Sequence, residues 1–262
     1  LYYSVAGAFL ALFGIVVLAS YVPLRFVQGG SLTSPADGRV LAASLCVILG
    51  LGAKAGLFPL HNWLPSACPV APAPASALLS GIITKIGVIG ILRLIYFVVG
   101  ADALRGTWVQ VSAIILALIT VFVGSYMGTT ENVLKKRLAY SSVSQLSYVL
   151  LGVLLMTPAG LLGALLQMLF HAAVKIGVFL CAGSAIFLTG TETLDGFPGL
   201  GRRLPATMAC FTLLSLSLVG IPPFGGFFSK WYLISAALAD VPGALGFVIA
   251  GVLLFSALLT AG

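Results

Sequence analysis

Apolar residues fill long stretches of this chain on every helical face, and short segments rich in Gly, Pro and charge separate them. A helix that is hydrophobic all round is either buried in a large core or spans a membrane. A hydrocarbon layer about 30 Å thick takes roughly 20 helical residues. By that measure the pattern predicts eight spans, at about 2–20, 40–64, 75–99, 108–127, 139–156, 161–188, 206–236 and 243–262. The expected fold class is an all-α polytopic membrane protein, forming one transmembrane domain over 1–262.

Two of these spans are interrupted. The second contains Lys54-Ala-Gly-Leu-Phe-Pro59, and the seventh contains Gly220-Ile-Pro222-Pro223-Phe-Gly-Gly226. Proline removes a backbone donor and clashes with the preceding turn. In lipid, the freed carbonyls survive only where protein or a wet cavity surrounds them. An ordinary proline kink is one reading of Pro59, Pro222 and Pro223. The other is a transport site, because paired interrupted segments in two halves of a chain point to one.

Composition then narrows the class. Of the 262 residues, 60% are hydrophobic and 7% charged, whereas soluble domains carry about 25% charge. A water-exposed surface cannot be covered with so few charges. The apolar runs recur along the whole length, which a signal peptide does not explain. The net charge of +7 forms no basic face or tail, so no nucleic-acid partner is expected. Cys46, Cys68, Cys181 and Cys210 lie far apart and read as packing residues, with no metal or disulfide implied. The sequence opens at Leu1, inside an apolar run and without Met, and stops at Gly262 inside another, as an excerpt of a longer protein would.

Alternate connections fall on opposite sides. The set 21–39, 100–107, 157–160 and 237–242 holds Arg25, Arg39 and Arg105. The set 65–74, 128–138 and 189–205 holds Lys135, Lys136, Arg137, Arg202 and Arg203, and this excess assigns it to the cytoplasm. The run at 135–137 reads as a topology signal.

All six acidic residues fall in these connections, but Lys54, Lys85, Lys175, Lys230 and His171 fall within spans. Placing a lysine mid-bilayer costs at least about 2.5–3.5 kcal/mol on insertion scales. Burial favours the neutral amine, so such a lysine can lose and regain a proton where arginine cannot. His171 and Lys175 are four apart and share a helix face. Ser141, Ser144 and Tyr148 follow at i, i+3 and i+7 and line one face of the fifth span. Interhelical hydrogen bonding is one account of them, and hydroxyls bridging a proton path are another. With no carboxylate in any span, a Glu or Asp from upstream or from a neighbouring subunit is expected beside Lys54, because unpaired buried charge is strongly disfavoured.

The stretch KAGLFPLHNWLPSACPVAPAPASALLSGIITKIGVIGILR, from Lys54 to Arg93, resembles the core of the antiporter-like subunits. These occur in respiratory complex I, Mrp-type cation/proton antiporters and membrane-bound hydrogenases. ENVLKKRLAYSSVSQLSYVLLG, HAAVKIGVFLCAG and SLVGIPPFGGFFSKWYL are similar to three further family blocks, in the family's order. The resemblance implies helices six to thirteen of a fold of about fourteen, built from two inverted repeats. Residues 1–99 would end the first repeat and 108–262 would belong to the second. Lys54 matches the helix-seven lysine, Lys85 that of helix eight, Lys175 that of helix eleven and Lys230 that of helix twelve. The family's helix-five glutamate, partner of the helix-seven lysine, would lie upstream of Leu1.

Departures refine the placement. The type at the far end of complex I has histidines where Ser80 and Gln167 stand, and another type has glutamate where Lys230 stands. The PAPAS and ITKIG spellings look closest to the D-type component of Mrp antiporters and its hydrogenase-associated relatives. Gln167 bears on how fully a proton path along helix eleven is retained.

The expected function is a proton-translocating subunit of a multisubunit complex in a prokaryotic plasma membrane. Its partners would be other membrane subunits, lipid, protons and, as an alternative, sodium. The rivals are a quinone-contacting subunit of a membrane oxidoreductase and a structural spacer. No flavin, haem or iron–sulfur ligand pattern is present, so no cofactor is expected and redox catalysis would belong to partner subunits.

Overall fold

The computed structural model describes residues 2–32, 36–241 and 243–261. Leu1, Gly262, positions 33–35 of the first connection and Pro242 of the last lie outside the described residues. Among the described residues, ten helices of eight residues or more follow one another: α1 Tyr2–Tyr21, α2 Gly38–Ala55, α3 Trp63–Val70, α4 Ala73–Val99, α5 Trp108–Thr130, α6 Leu134–Leu154, α7 Pro158–Thr189, α8 Pro205–Val219, α9 Gly225–Asp240 and α10 Ala244–Ala261. Two wide turns, Leu79–Ile83 and Leu94–Val99, interrupt α4. The eight expected spans correspond to α1, α2 with α3, α4, α5, α6, α7, α8 with α9, and α10. Five stretches, Tyr2–Tyr21, Gly38–Val70, Ala73–Val99, Trp108–Thr130 and Pro158–Thr189, are long and apolar enough to cross a membrane.

The most polar span is also the most enclosed. Every residue from Ser142 to Leu154 of α6 is buried, because its hydroxyls and amides would find no partner in lipid. Helices α5, α7 and α3 pack around it. Its carboxyl end is closed by the start of α5 and the connection before it: Arg105 donates to the Met156 carbonyl and Gln110 Nε2 to that of Leu154 (2.9 Å). Helix α1 lies at the margin and leaves Phe9, Leu12, Phe13 and Val16 exposed. It is held to α2 through small residues: a Cβ on Gly50 would come within 2.4 Å of the Ala11 nitrogen. Such contacts let helix backbones approach where no hydrophobic effect drives association.

Both breaks form, but proline is not what ends the helices. Helix α2 stops at Gly56 (φ 88°) and α8 at Gly220 (φ 90°), each in the left-handed region. Glycine enters that region without the Cβ cost other residues bear. The prolines follow in the returning segment, at the cis bonds Phe58–Pro59 and Pro222–Pro223. The carbonyls freed at the first break find partners: Trp63 Nε1 donates to Ala53 (2.8 Å) and the Leu57 amide to Gly52 (2.8 Å). The Phe58 amide donates to Thr120 Oγ1 of α5 (2.9 Å).

Helix α6 begins at Leu134, ahead of the predicted 139, and takes in the Lys135-Lys136-Arg137 run. A count of apolar residues stops at charges that a helix end tolerates. Cations at a helix amino end oppose the macrodipole, and nearby carboxylates offset this. Lys136 pairs with Glu131 at 2.7 Å, and that hydrogen bond holds the Glu131 carboxyl below its ordinary range. The Leu134 amide bonds the Glu192 carbonyl (2.9 Å), and Val133 bridges Thr193. The two connections 131–133 and 190–196 are thereby stapled together.

A Cβ on Gly226 would lie 1.9 Å from the Ser217 carbonyl oxygen, whereas one on Gly38 meets nothing within 4 Å. Gly226→Ala should therefore force α8 and α9 apart and destabilise the fold by at least about 1–3 kcal/mol. Gly38→Ala should leave it intact. Yield of monodisperse protein and thermal unfolding in detergent check both; equal behaviour of the two variants would contradict the packing described.

Candidate functional site

Helices α6 and α7 run antiparallel, and their facing side chains form rungs. On the first rung Lys175 Nζ donates to Ser141 Oγ (2.5 Å) and to the Leu138 carbonyl (2.8 Å). On the second, Gln167 Nε2 donates to Gln145 Oε1 (2.7 Å). His171 falls between the two rungs, four residues from each α7 partner. It is 1% exposed, and neither ring nitrogen has a protein partner among the described residues.

Lys85 approaches from α4. Its ammonium donates to the Ser80 carbonyl (2.5 Å) inside the wide turn, a helix irregularity frequent at functional sites. The Ser80 and Ser142 hydroxyls are 2.6 Å apart, and Ser142 donates to the Leu138 carbonyl (2.9 Å). That carbonyl also receives Lys175, so hydroxyls and one shared carbonyl join Lys85 to Lys175. Both lysines lie within electrostatic reach of His171. The structure thus brings Lys85, His171 and Lys175 into one interior cluster.

Lys230 occupies a second position. Its ammonium donates to the carbonyls of Leu218 and Val219, each at 2.8 Å, and lies 5.2 Å from the Tyr148 ring centroid. These are the final carbonyls of α8, left without helical partners by the break. A cation there is favoured by the dipole and satisfies both oxygens. Next to Lys230, Ser229 Oγ donates to Gln167 Oε1. The bridge Ser229–Gln167–Gln145 connects α9, α7 and α6 between the two lysine positions.

Lys54 is placed apart from both. It lies in the last turn of α2, exposed, and makes no hydrogen bond or ion pair among the described residues. A Cβ on Gly87 of α4 would come 3.3 Å from the Lys54 Cβ, so its stem packs on α4 while the amine faces outward. The predicted hydroxyl stripe also divides. Ser141 reaches Lys175, but Ser144 lies 2.8 Å from Ser125 and 3.2 Å from Ser256, and Tyr148 donates to the Leu253 carbonyl (2.8 Å). Those contacts tie α6 to α5 and α10. A cavity of about 310 Å³ opens between these helices, lined by Ser125, Thr129, Ser141, Ser215, Leu218 and Thr260. It borders the hydroxyl that holds Lys175 and the residue whose carbonyl holds Lys230.

One buried cation was not singled out by sequence reasoning. Lys135 is 7% exposed, unlike a solvated topology charge. The buried hydroxyls of Ser76 and Thr84 were also passed over, although Ser76, Ser80 and Thr84 recur every four residues up to Lys85. Among the described residues, no group of His, Cys, Asp and Glu gathers as a metal site.

The family model described as NADH:quinone oxidoreductase/Mrp antiporter, TM, matches residues 1–259. The chain belongs to this family. It is 41% identical over 222 residues to NADH-quinone oxidoreductase subunit N of Desulforudis audaxviator, covering 85% of this chain and 43% of that protein. It is 37% identical over 214 residues to hydrogenase-4 component B of Escherichia coli, covering 76% of this chain and 31% of that one. Among solved structures, the Mrp complex from a Dietzia species superposes with a TM-score of 0.85 at 30% identity, over 99% of this chain and 48% of the matched one. The chain therefore spans about half, or less, of the length of these relatives. It is an antiporter-like membrane subunit, and its relatives are subunits of multisubunit membrane complexes.

Lys175 is buried without a counter-charge, while the Leu138 carbonyl keeps two hydroxyl donors, Ser141 and Ser142, if it is removed. Lys175→Met should accordingly leave thermal stability unchanged or raised, since replacing buried ionic groups by apolar ones of similar volume is often neutral or stabilising. A clear fall in melting temperature relative to the parent would contradict this account of Lys175.

Proposed function

We propose that this antiporter-like subunit translocates protons through its buried lysines and histidine. The observation that carries the reading is the buried cluster of Lys85, His171 and Lys175, which no carboxylate reaches among the described residues and whose two lysines are joined by hydroxyls and a shared carbonyl. A lone buried ammonium costs several kcal/mol, and a fold gains nothing from three basic groups gathered there unless they exchange protons. Lys85, His171 and Lys175 relay the proton across the centre, and Lys230 hands it to one exit. Ser141 and the hydroxyl-lined cavity beside it offer the passage between them. Because the amides of Gln145 and Gln167 neither gain nor lose protons near neutral pH, they hold the helices and leave conduction to that cavity.

Lys54 acts at the margin in this scheme. Its exposed amine is where a Glu or Asp from an upstream helix or a neighbouring subunit would pair, so a change in that neighbour's charge reaches the central cluster electrostatically. We read residues 1–99 and 108–262 as the end of one inverted repeat and most of a second, within a whole of about fourteen helices in a prokaryotic plasma membrane. Sodium as a further substrate and the host complex belong to the same proposal. A quinone-contacting role would draw on an apolar groove of about 500 Å³ between α4 and α7 that reaches Lys85. Bound quinone at that groove would favour the rival.

The complete protein in its host complex, reconstituted in liposomes with a pH-sensitive dye, tests the proposal. Lys54→Ala and Lys230→Ala should each abolish ion translocation while the complex still assembles. Full transport by both variants would overturn it.

A further inference from the structure

Lys135 shares a charge run with Lys136 and Arg137 but is enclosed on its own. Its ammonium donates to the carbonyls of Pro69 (3.3 Å) and Ala71 (3.2 Å) at the α3–α4 turn. It lies 3.6 Å from the carboxylate of Glu192, whose side chain is 47% exposed on the connection between α7 and α8. Among the described residues, this is the contact in which a carboxylate meets a buried lysine. Cys68 of α3 lies within electrostatic reach of both Lys135 and Lys175.

Ser76 Oγ donates to the Cys68 carbonyl (2.8 Å) and also lies 3.2 Å from the Ala71 carbonyl that receives Lys135. Ser76 opens a stripe on α4. Ser76, Ser80 and Thr84 recur every four residues, and none has any solvent exposure. Successive hydroxyls stand one helical turn apart, so a proton passing along them needs a bridging water between each pair. The stripe ends at the Ser80 carbonyl, which accepts from Thr84 Oγ1 (3.1 Å) and from Lys85 Nζ. Ser80 Oγ turns aside to Ser142 and so toward Lys175. One end of the stripe meets a solvent-facing carboxylate–ammonium pair, and the other meets both central lysines.

We propose that Lys135 and Glu192 form the proton-loading site of this protein, from which protons pass along Ser76, Ser80 and Thr84 to Lys85 and Lys175. The inference rests on the translocation reading above. The Lys135 ammonium gives a proton to the first bridging oxygen of the stripe. Glu192 takes a proton from water as its carboxylate becomes the acid, and passes it to the amine so formed. Each oxygen in turn binds one proton and releases another, and the neutral amine of Lys85 or Lys175 receives the last. Every group returns to its starting state after one transfer.

A mere cap for the end of α3 needs a cation with two donors, which arginine supplies. A loading residue must also give up its proton, which arginine does not do. Lys135→Arg in the complete protein, within its host complex in liposomes, should therefore assemble normally yet slow proton uptake at least about tenfold, at the low end of what positioned proton transfer contributes. Glu192→Gln, which keeps its backbone bond to Leu134, and Ser76→Ala should each slow it as well. These two variants decide the matter if Lys135→Arg fails to assemble. Wild-type uptake by Lys135→Arg, or by both Glu192→Gln and Ser76→Ala, overturns the loading site. Lys175→Ala and Lys230→Ala run alongside: if they are blocked while the loading variants run at full rate, this inference alone fails. If they too transport normally, the translocation reading fails.

Discussion

The buried ammoniums of Lys85, Lys175 and Lys230 are held by backbone carbonyls and hydroxyls, because no carboxylate reaches them among the described residues. The interior of a membrane protein supplies few oxygens that are not already spent on the helix ladder. Irregular backbone supplies the oxygens for three of the enclosed lysines. Lys230 takes the last two carbonyls of α8 at its break, Lys85 takes the Ser80 carbonyl inside a wide turn, and Lys135 takes carbonyls of the α3–α4 turn. Lys175 takes the carbonyl of Leu138 with Ser141. Helix breaks and buried cations are thus two sides of one arrangement.

The same constraint explains the position of α6. It contributes Ser141, Ser142, Ser144, Gln145 and Tyr148, whose partners lie on four neighbours: α7 for Ser141 and Gln145, α4 for Ser142, α5 and α10 for Ser144, and α10 for Tyr148. A helix so polar is stable in a bilayer only when other helices enclose it. Once enclosed, it connects the elements that carry the cations. Packing and chemistry therefore converge on one element, and the cavity beside Ser141 lies where α5, α6, α8 and α10 leave room between hydroxyls.

A carbonyl holds an ammonium without neutralising it. That is why Lys85, Lys175 and Lys230, held this way, suit charge transfer better than three ion pairs would. In an ion pair the carboxylate stabilises the charged form strongly, whereas a carbonyl can also accept from the neutral amine. Loss of the proton then leaves no buried anion behind. Glu192 and the acid expected beside Lys54 sit at the rim in this picture, where charge can be exchanged with water or with a neighbour.

Much of this was legible in the amino-acid order. The number of spans, both interruptions and the lysines at 54, 85, 175 and 230 follow from apolar run lengths, glycine and proline positions, and the insertion cost of charge, all of which are local. The order also showed His171 and Lys175 on one face, since that depends only on helical period. Which cations are enclosed was decided by tertiary structure. Lys54 falls within an apolar run and Lys135 only borders one, yet the first is exposed and the second is buried, because neighbouring helices and not the run itself remove them from solvent. The gathering of Lys85 with Lys175 through Ser80, Ser142 and the Leu138 carbonyl was likewise invisible, since a shared backbone oxygen leaves no mark on residue type. Tertiary packing also split Ser141 from Ser144 and Tyr148, because three residues on one helical stripe still span an arc wide enough to meet different neighbours.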